Sequence, residues 1–137
     1  MSSSFKETRM TKTEARYEFF LRVASLIVLC ELKNIRIVPT SIYRSARQQA
    51  SRYAQGRTKP GNIVTNCDGY NKKSMHQSWK AIDFAIMNVE RNDFIWEDVS
   101  AYHVMGEIAE KIGLVWGYRW WQSGESRFKD IYHIQYK

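Results

Sequence analysis

Three side chains have the types and setting to hold a metal: His76, Asp83 and His133. Asp83 interrupts the run Ala81-Ile82-Asp83-Phe84-Ala85-Ile86, which otherwise reads as an apolar strand. An unpaired carboxylate is costly to bury there, and metal ligation removes that cost. His76 ends a long polar loop, and His133 lies in the last strand-like segment. Either histidine alone fits a packed structural role. Together with Asp83 they make two histidines and one carboxylate with a fourth position open, the pattern of catalytic rather than structural zinc. Asp130 stands three residues before His133, near enough to take a proton from a metal-activated water without being an obvious ligand. That odd offset would put the two side chains on opposite faces of a regular strand. Asp130 is therefore expected just outside the strand, where the chain bends. The third histidine, His103, falls on a helical pattern beside Glu107, Glu110 and Lys111 and is expected to face solvent.

The elements that must position these groups are readable in outline. Thr11-Lys12-Thr13-Glu14 matches a capping box. The helix it opens should run to about Leu32, with Phe19, Val23, Ile27, Phe20 and Ala24 on its inner side. Arg36 to Tyr43 is rich in β-branched residues and reads as a strand, which Pro39 makes an edge or a bulged one. Ser45 to Gln55 reads as a helix closed by Gly56. The polar stretch Arg57 to Lys73 lacks periodicity, and loops of that length in a compact domain are usually functional. Lys80 to Met87 alternates as a strand, and Val99 to Ile112 is a helix with Tyr102, Met105, Ile108, Ala109 and Ile112 as its stripe. Leu114 to Trp116 and Ile131 to Tyr136 read as two more strands, joined by a loop containing Trp120, Trp121 and Gly124. The fold class is α+β: about three helices packed on a small, mostly antiparallel sheet.

A length of 137 residues suits one domain; residues 1–10 are polar and expected to be frayed, and no separate binding domain is expected. The longest apolar stretch, Phe19 to Leu32, includes Arg22 and Glu31 and is too short to span a bilayer of about 30 Å. No apolar leader precedes it, so the chain is expected to stay in the cytoplasm until something releases it. Two cysteines are too few for a disulfide framework. Cys30 reads as a small buried hydrophobe, and Cys67 as a spectator in a polar loop. The net charge of +7 favours an anionic partner. Nucleic acid, an anionic membrane surface and a carboxylate-rich cell wall all qualify. A basic nucleic-acid-binding protein is the non-enzymatic alternative, but no basic run or recognised aromatic motif supports it, and it leaves Asp83 unexplained. A monomer is the default.

The residues also carry a family resemblance. Ser74-Met75-His76-Gln77-Ser78-Trp79-Lys80-Ala81-Ile82-Asp83 resembles the S-x-H-x-x-G-x-A-x-D motif of zinc peptidases that include VanY-type D,D-carboxypeptidases and phage L-alanyl-D-glutamate endopeptidases. Asp130-Ile131-Tyr132-His133 is similar to their D/E-x-x-H motif, and Leu114-Val115-Trp116-Gly117 to their L-x-W-G turn. Tyr43-Arg44-Ser45 with Gln49, followed by Gly56-Arg57-Thr58, resembles their Y-R-S-x-x-x-Q and G-R-T region. The resemblance implies the LAS-type, hedgehog N-terminal-like fold and one Zn2+ per chain on His76, Asp83 and His133. It implies Asp130 as general base and acid, Arg44 binding the substrate carbonyl or stabilising the oxyanion, and Ser74 supporting the site by a hydrogen bond on the substrate side. The implied substrate is the peptidoglycan stem peptide, cut at the L-Ala–D-Glu bond, with D,D-carboxypeptidase action on D-Ala-D-Ala termini as the alternative. The implied biology is a phage endolysin, held in the host cytoplasm until a holin releases it. One residue departs from the motif: Trp79 stands where the family carries glycine. The chain must turn between His76 and Asp83, since seven extended residues cover about 23 Å. A bulky residue there implies a turn that does not demand positive φ.

Overall fold

The computed structural model describes residues 10–137. The expected frayed segment 1–10 falls outside the described residues, apart from the exposed Met10. Helix α1 (Lys12–Glu31) opens on the expected box, with the Thr11 hydroxyl accepting from Glu14 N–H and the Glu14 carboxylate accepting from Thr11 N–H. Its buried stripe is Phe19, Val23, Leu26 and Cys30, at spacings of four, three and four. Ala24, expected inside, is exposed because that stripe turns past it.

Strand β1 (Ile37–Ser41) leads into α2 (Ala46–Ala54), and a single 3-10 turn (Met75–Ser78) precedes β2 (Ala81–Asn88). There follow β3 (Asp93–Ile95), α3 (Ser100–Lys111), β4 (Val115–Trp116), α4 (Tyr118–Gln122) and β5 (His133–Gln135). All strand pairs are antiparallel, in the order β1-β2-β5-β4 with β3 also on β2. β1 is an edge strand, and its register shifts between Pro39 and Ser41, as the proline required. β2 is covered on both faces: Ala81, Ile82, Phe84, Ala85 and Ile86 are all buried. Its core-side residues meet Phe19, Leu26, Tyr102, Met105 and Trp116 in one apolar cluster. The Tyr102 hydroxyl sits between β2 and β3, accepting from Ile86 N–H at 3.0 Å and donating to the Ile95 carbonyl.

Two expectations are corrected. There are four α-helices among the described residues, because Tyr118–Gln122, expected as loop, forms α4. Long-range contacts hold it: Arg119 grips Glu110 with Nε at 3.0 Å and Nη2 at 2.9 Å, and Tyr118 packs on Trp116 at 4.7 Å. His103 does not simply face solvent. Its ring packs against Trp116 and Tyr118 at 5.2 and 4.8 Å, and its Nε2 lies 2.6 Å from Asp98 Oδ1.

Cys30 is fully buried, and burial pushes its thiol up to about 11, whereas Cys67 is half-buried. A thiol reagent at pH 8 should therefore label one cysteine in the native chain and the second only on unfolding. Rapid labelling of both in the native state would show that α1 does not seal Cys30.

Candidate metal centre

The site is built where β1, β2 and β5 meet. Asp83 of β2 lies in register with Ser41 on one side and His133 on the other. His76 arrives from the 3-10 turn, which the Ser74 hydroxyl caps by accepting from His76 N–H at 3.2 Å while Gln77 Oε1 accepts from Ser74 N–H at 2.9 Å. Ser74 thus supports His76 through the backbone.

Each imidazole is fixed by its far nitrogen. His76 Nδ1 lies 2.7 Å from the Ile42 carbonyl, so it carries the proton and Nε2 carries the lone pair. His133 Nε2 lies 2.8 Å from Gln135 Oε1, which leaves Nδ1 facing Asp83. Asp83 Oδ1 is 3.3 Å from His76 Nε2 and 3.2 Å from His133 Nδ1. The three donors lie within 4.8 Å of one another, and His76 Nε2 is buried with no hydrogen-bond partner. Lone pairs converging on a carboxylate oxygen repel one another unless a proton or a cation lies between them. Bonds of about 2.0–2.1 Å in a tetrahedron put ligand atoms about 3.3 Å apart, so these donors fit zinc.

Arg44 is buried behind the carboxylate. Its Nη2 donates to Asp83 Oδ2 at 2.8 Å, its Nη1 to Gln49 Oε1 at 2.9 Å and its Nε to Ser41 Oγ at 3.2 Å. The guanidinium therefore orients Asp83, with two N–H groups beyond these three bonds. Gln49, also buried, carries the link outward by donating to Thr65 Oγ1 and the Cys67 carbonyl. This ties the long polar loop to the site. Burial works to raise the Asp83 carboxyl, but the neighbouring His133 and His76 imidazoles outweigh it and hold it well below the usual range.

Asp130 precedes β5 in a tight turn that His133 N–H closes onto the Asp130 carbonyl. The bend brings Asp130 Oδ2 within 4.0 Å of His133 Nδ1, outside the donor triad. Burial raises its carboxyl above the usual range; His133 pulls it down, and the charge of Asp83 adds to the rise. A raised carboxyl next to the donor triad suits proton transfer. The site opens onto a groove of about 690 Å³.

Residues 8–137 match the family VanY, described as D-alanyl-D-alanine carboxypeptidase. The chain belongs to the VanY family. It is 37% identical over 111 residues to the peptidoglycan L-alanyl-D-glutamate endopeptidase CwlK of Bacillus subtilis (strain 168), covering 75% of this chain and 62% of that protein. This VanY-family chain thus spans less than two thirds of the length of that relative. A solved D,D-pentapeptidase VanY from a VanB-type vancomycin-resistance cassette, in complex with Zn(II), superposes with a TM-score of 0.62 at 14% identity, over 86% of this chain and 70% of that one. The L-Ala D-Glu endopeptidase ChiX of Serratia marcescens gives a TM-score of 0.54 at 18% identity, over 99% and 96%. At these identities the likeness is one of fold.

The structure of this VanY-family chain brings His76, Asp83, His133, Asp130 and Arg44 together, and His103 lies outside the donor cluster. Two supports were not singled out from sequence, Gln135 and the Ile42 carbonyl. Gln135 stands two residues after His133, on the same strand face, so the period of two pointed to it. The Ile42 carbonyl is backbone and leaves no mark in residue type. Gly117 ends the L-x-W-G turn because a Cβ there would lie 2.9 Å from the Asp130 carbonyl and 3.1 Å from His133 Cβ.

The expectation for Trp79 is corrected: it sits at φ 61°, ψ 30°, so the turn does demand the left-handed region. Compensation comes from the ring, which stacks on Tyr43 at 4.8 Å and 20°, with the Arg16 guanidinium 5.4 Å from its centroid. A left-handed non-glycine costs about 1–2 kcal/mol, and an aromatic stack returns about 0.5–1.5 kcal/mol. Trp79→Gly removes both and should leave stability within about 1 kcal/mol of the parent. Trp79→Ala keeps the strain without the stack and should be less stable than the parent by about 0.5–1.5 kcal/mol. Chemical denaturation checks the pair; equal losses would mean that the left-handed backbone at this position carries no strain.

Proposed function

We propose that this chain is a zinc-dependent peptidoglycan peptidase that hydrolyses stem peptides at the L-Ala–D-Glu bond. The observation that carries this reading is the convergence of His76 Nε2, Asp83 Oδ1 and His133 Nδ1 on the floor of an open groove, with Asp130 beside them. The identity to CwlK supports the choice of bond. Those three atoms would hold one zinc ion, which when bound would supply Lewis acidity for the scissile carbonyl and the attacking water. Asp130 takes the water's proton and returns it to the leaving nitrogen. Arg44 holds Asp83 in place and has N–H groups left for the substrate carbonyl. Ser74 holds the turn that carries His76.

A second reading, D,D-carboxypeptidase, is favoured by the description of the family. Digestion of purified peptidoglycan followed by mass spectrometry separates the two. A new D-Glu amino terminus supports the endopeptidase, release of free D-Ala supports the carboxypeptidase, and no product of either kind removes both.

In biological role we infer a phage endolysin acting as a monomeric catalytic domain. It would be held in the host cytoplasm until a holin admits it to the wall. Among the described residues no helix is long and apolar enough to cross a membrane, which suits release by another protein. Cytoplasmic expression in a sensitive host should leave cells intact until the membrane is permeabilised, and lysis without permeabilisation would oppose this role. The charge of +7 suits an enzyme that finds an anionic wall by steering. Lysis of intact murein should fall as salt rises past about 0.15 M, where screening acts within about 8 Å. Cleavage of a short soluble stem peptide should change much less, and equal sensitivity would argue against steering.

A further inference from the structure

The groove has two unlike walls. The β1 side, from α2 and the long loop, brings Arg52, Lys72 and Lys73; the other side brings Trp96, Trp120 and Tyr132. Trp96 is the unusual one. Its residue is 53% exposed, yet it is held on three sides. Phe94 and Tyr132 meet its ring edge to face at 5.6 and 5.7 Å, and the Tyr132 hydroxyl donates to its carbonyl. Trp96 and Tyr132 line the same groove as His76, Asp83 and His133. One ion pair stands at the rim: Lys129, which lines the groove, has its Nζ 3.7 Å from Asp98 Oδ2. An exposed indole held at a groove by aromatic neighbours, with an ion pair at the rim, matches a ligand with an apolar face and polar edges. A pyranose ring is such a ligand, with C–H groups on its face and hydroxyls at its rim. An aliphatic side chain would leave the ionic rim unused.

We infer that Trp96 is a stacking platform for the glycan sugar that bears the stem peptide. This rests on the peptidase reading and deepens it. The L-Ala–D-Glu bond lies one residue from the sugar-linked lactyl group, about 3.5 Å of extended chain, so the sugar must enter the same groove. The D-Ala–D-Ala bond lies four residues away, about 13 Å, and needs no sugar contact. The fixed geometry of Trp96 spares the ordering cost of binding.

The test compares a muramyl-bearing stem peptide with the same peptide lacking sugar. Trp96→Ala should lower the ratio of kcat/KM for the glycan-bearing over the glycan-free substrate about tenfold, and Trp96→Phe should restore most of it. A direct arm titrates the tetramer of N-acetylglucosamine into the protein and follows the Trp96 indole N–H by NMR. Its signal should shift in a saturable way. An unchanged ratio in Trp96→Ala, or loss of both substrates in equal proportion, overturns the inference, as does an indole signal that does not move. If neither substrate is cut, the peptidase reading falls, and the titration alone decides whether the plate binds sugar.

Discussion

Asp130→Asn is expected to lower turnover of a soluble stem peptide by about 10³ to 10⁴ while leaving the fold and the zinc content unchanged. Removing a general base costs about 10² to 10⁴, and the upper end applies because one carboxylate serves as base and then as acid. The geometry supports this separation of roles. Asp130 Oδ2 stands 4.0 Å from His133 Nδ1, while the donors that would hold the metal are His76, Asp83 and His133. Asparagine has nearly the same size, and the turn depends on the Asp130 carbonyl rather than its side chain. It can neither accept the proton nor return it. Turnover near normal would put the shuttle elsewhere, and loss of zinc together with activity would make Asp130 a ligand.

His76→Ala is expected to abolish zinc binding and reduce activity to background. The substitution removes the donor that is most enclosed, since His76 is 1% exposed and its Nε2 has no other partner. Two remaining donors cannot satisfy an ion that prefers three protein ligands. His133→Ala should behave alike. In the unaltered chain a chelator should remove activity, added zinc should restore it, and metal analysis should give one ion per chain. His103→Ala should keep its zinc while losing thermal stability, because its ring packs on Trp116 and Tyr118. Full occupancy in His76→Ala would take that residue out of the ligand set.

What could be read in advance follows a physical line. Asp83 was legible because a carboxylate in an apolar strand asks for a reason, and Thr11 with Glu14 because capping is local. β3 was missed because three residues, Asp93–Ile95, are too few to show alternation. α4 was missed because five residues do not make a stable helix alone; it depends on Glu110 and Trp116, which no local pattern contains. The inner face of α1 differs from the expected one at Ala24 because the 3.6-residue period carries the stripe from Val23 to Leu26. Trp79 misled because its ring contacts, which come from Tyr43 and Arg16, make tolerable a backbone that residue type alone argues against. Arg44 stood out through a motif, but its attachment to Asp83 is a matter of three-dimensional placement.

The direct pairing of Asp83 with His133 across β2 and β5 bears on how such a chain can change length over evolution. A single residue inserted in either strand shifts the register and turns one donor to the opposite sheet face. The same holds for the stretch from Asp130 to His133, where a turn of fixed size sets the carboxylate against the imidazole. These segments admit substitution but not insertion. The loop tip at Arg57 to Gly61 is exposed and carries no donor, so added residues there leave the three donors where they are. In such a scaffold that loop is free to change length, with the chemistry held to a constant residue count.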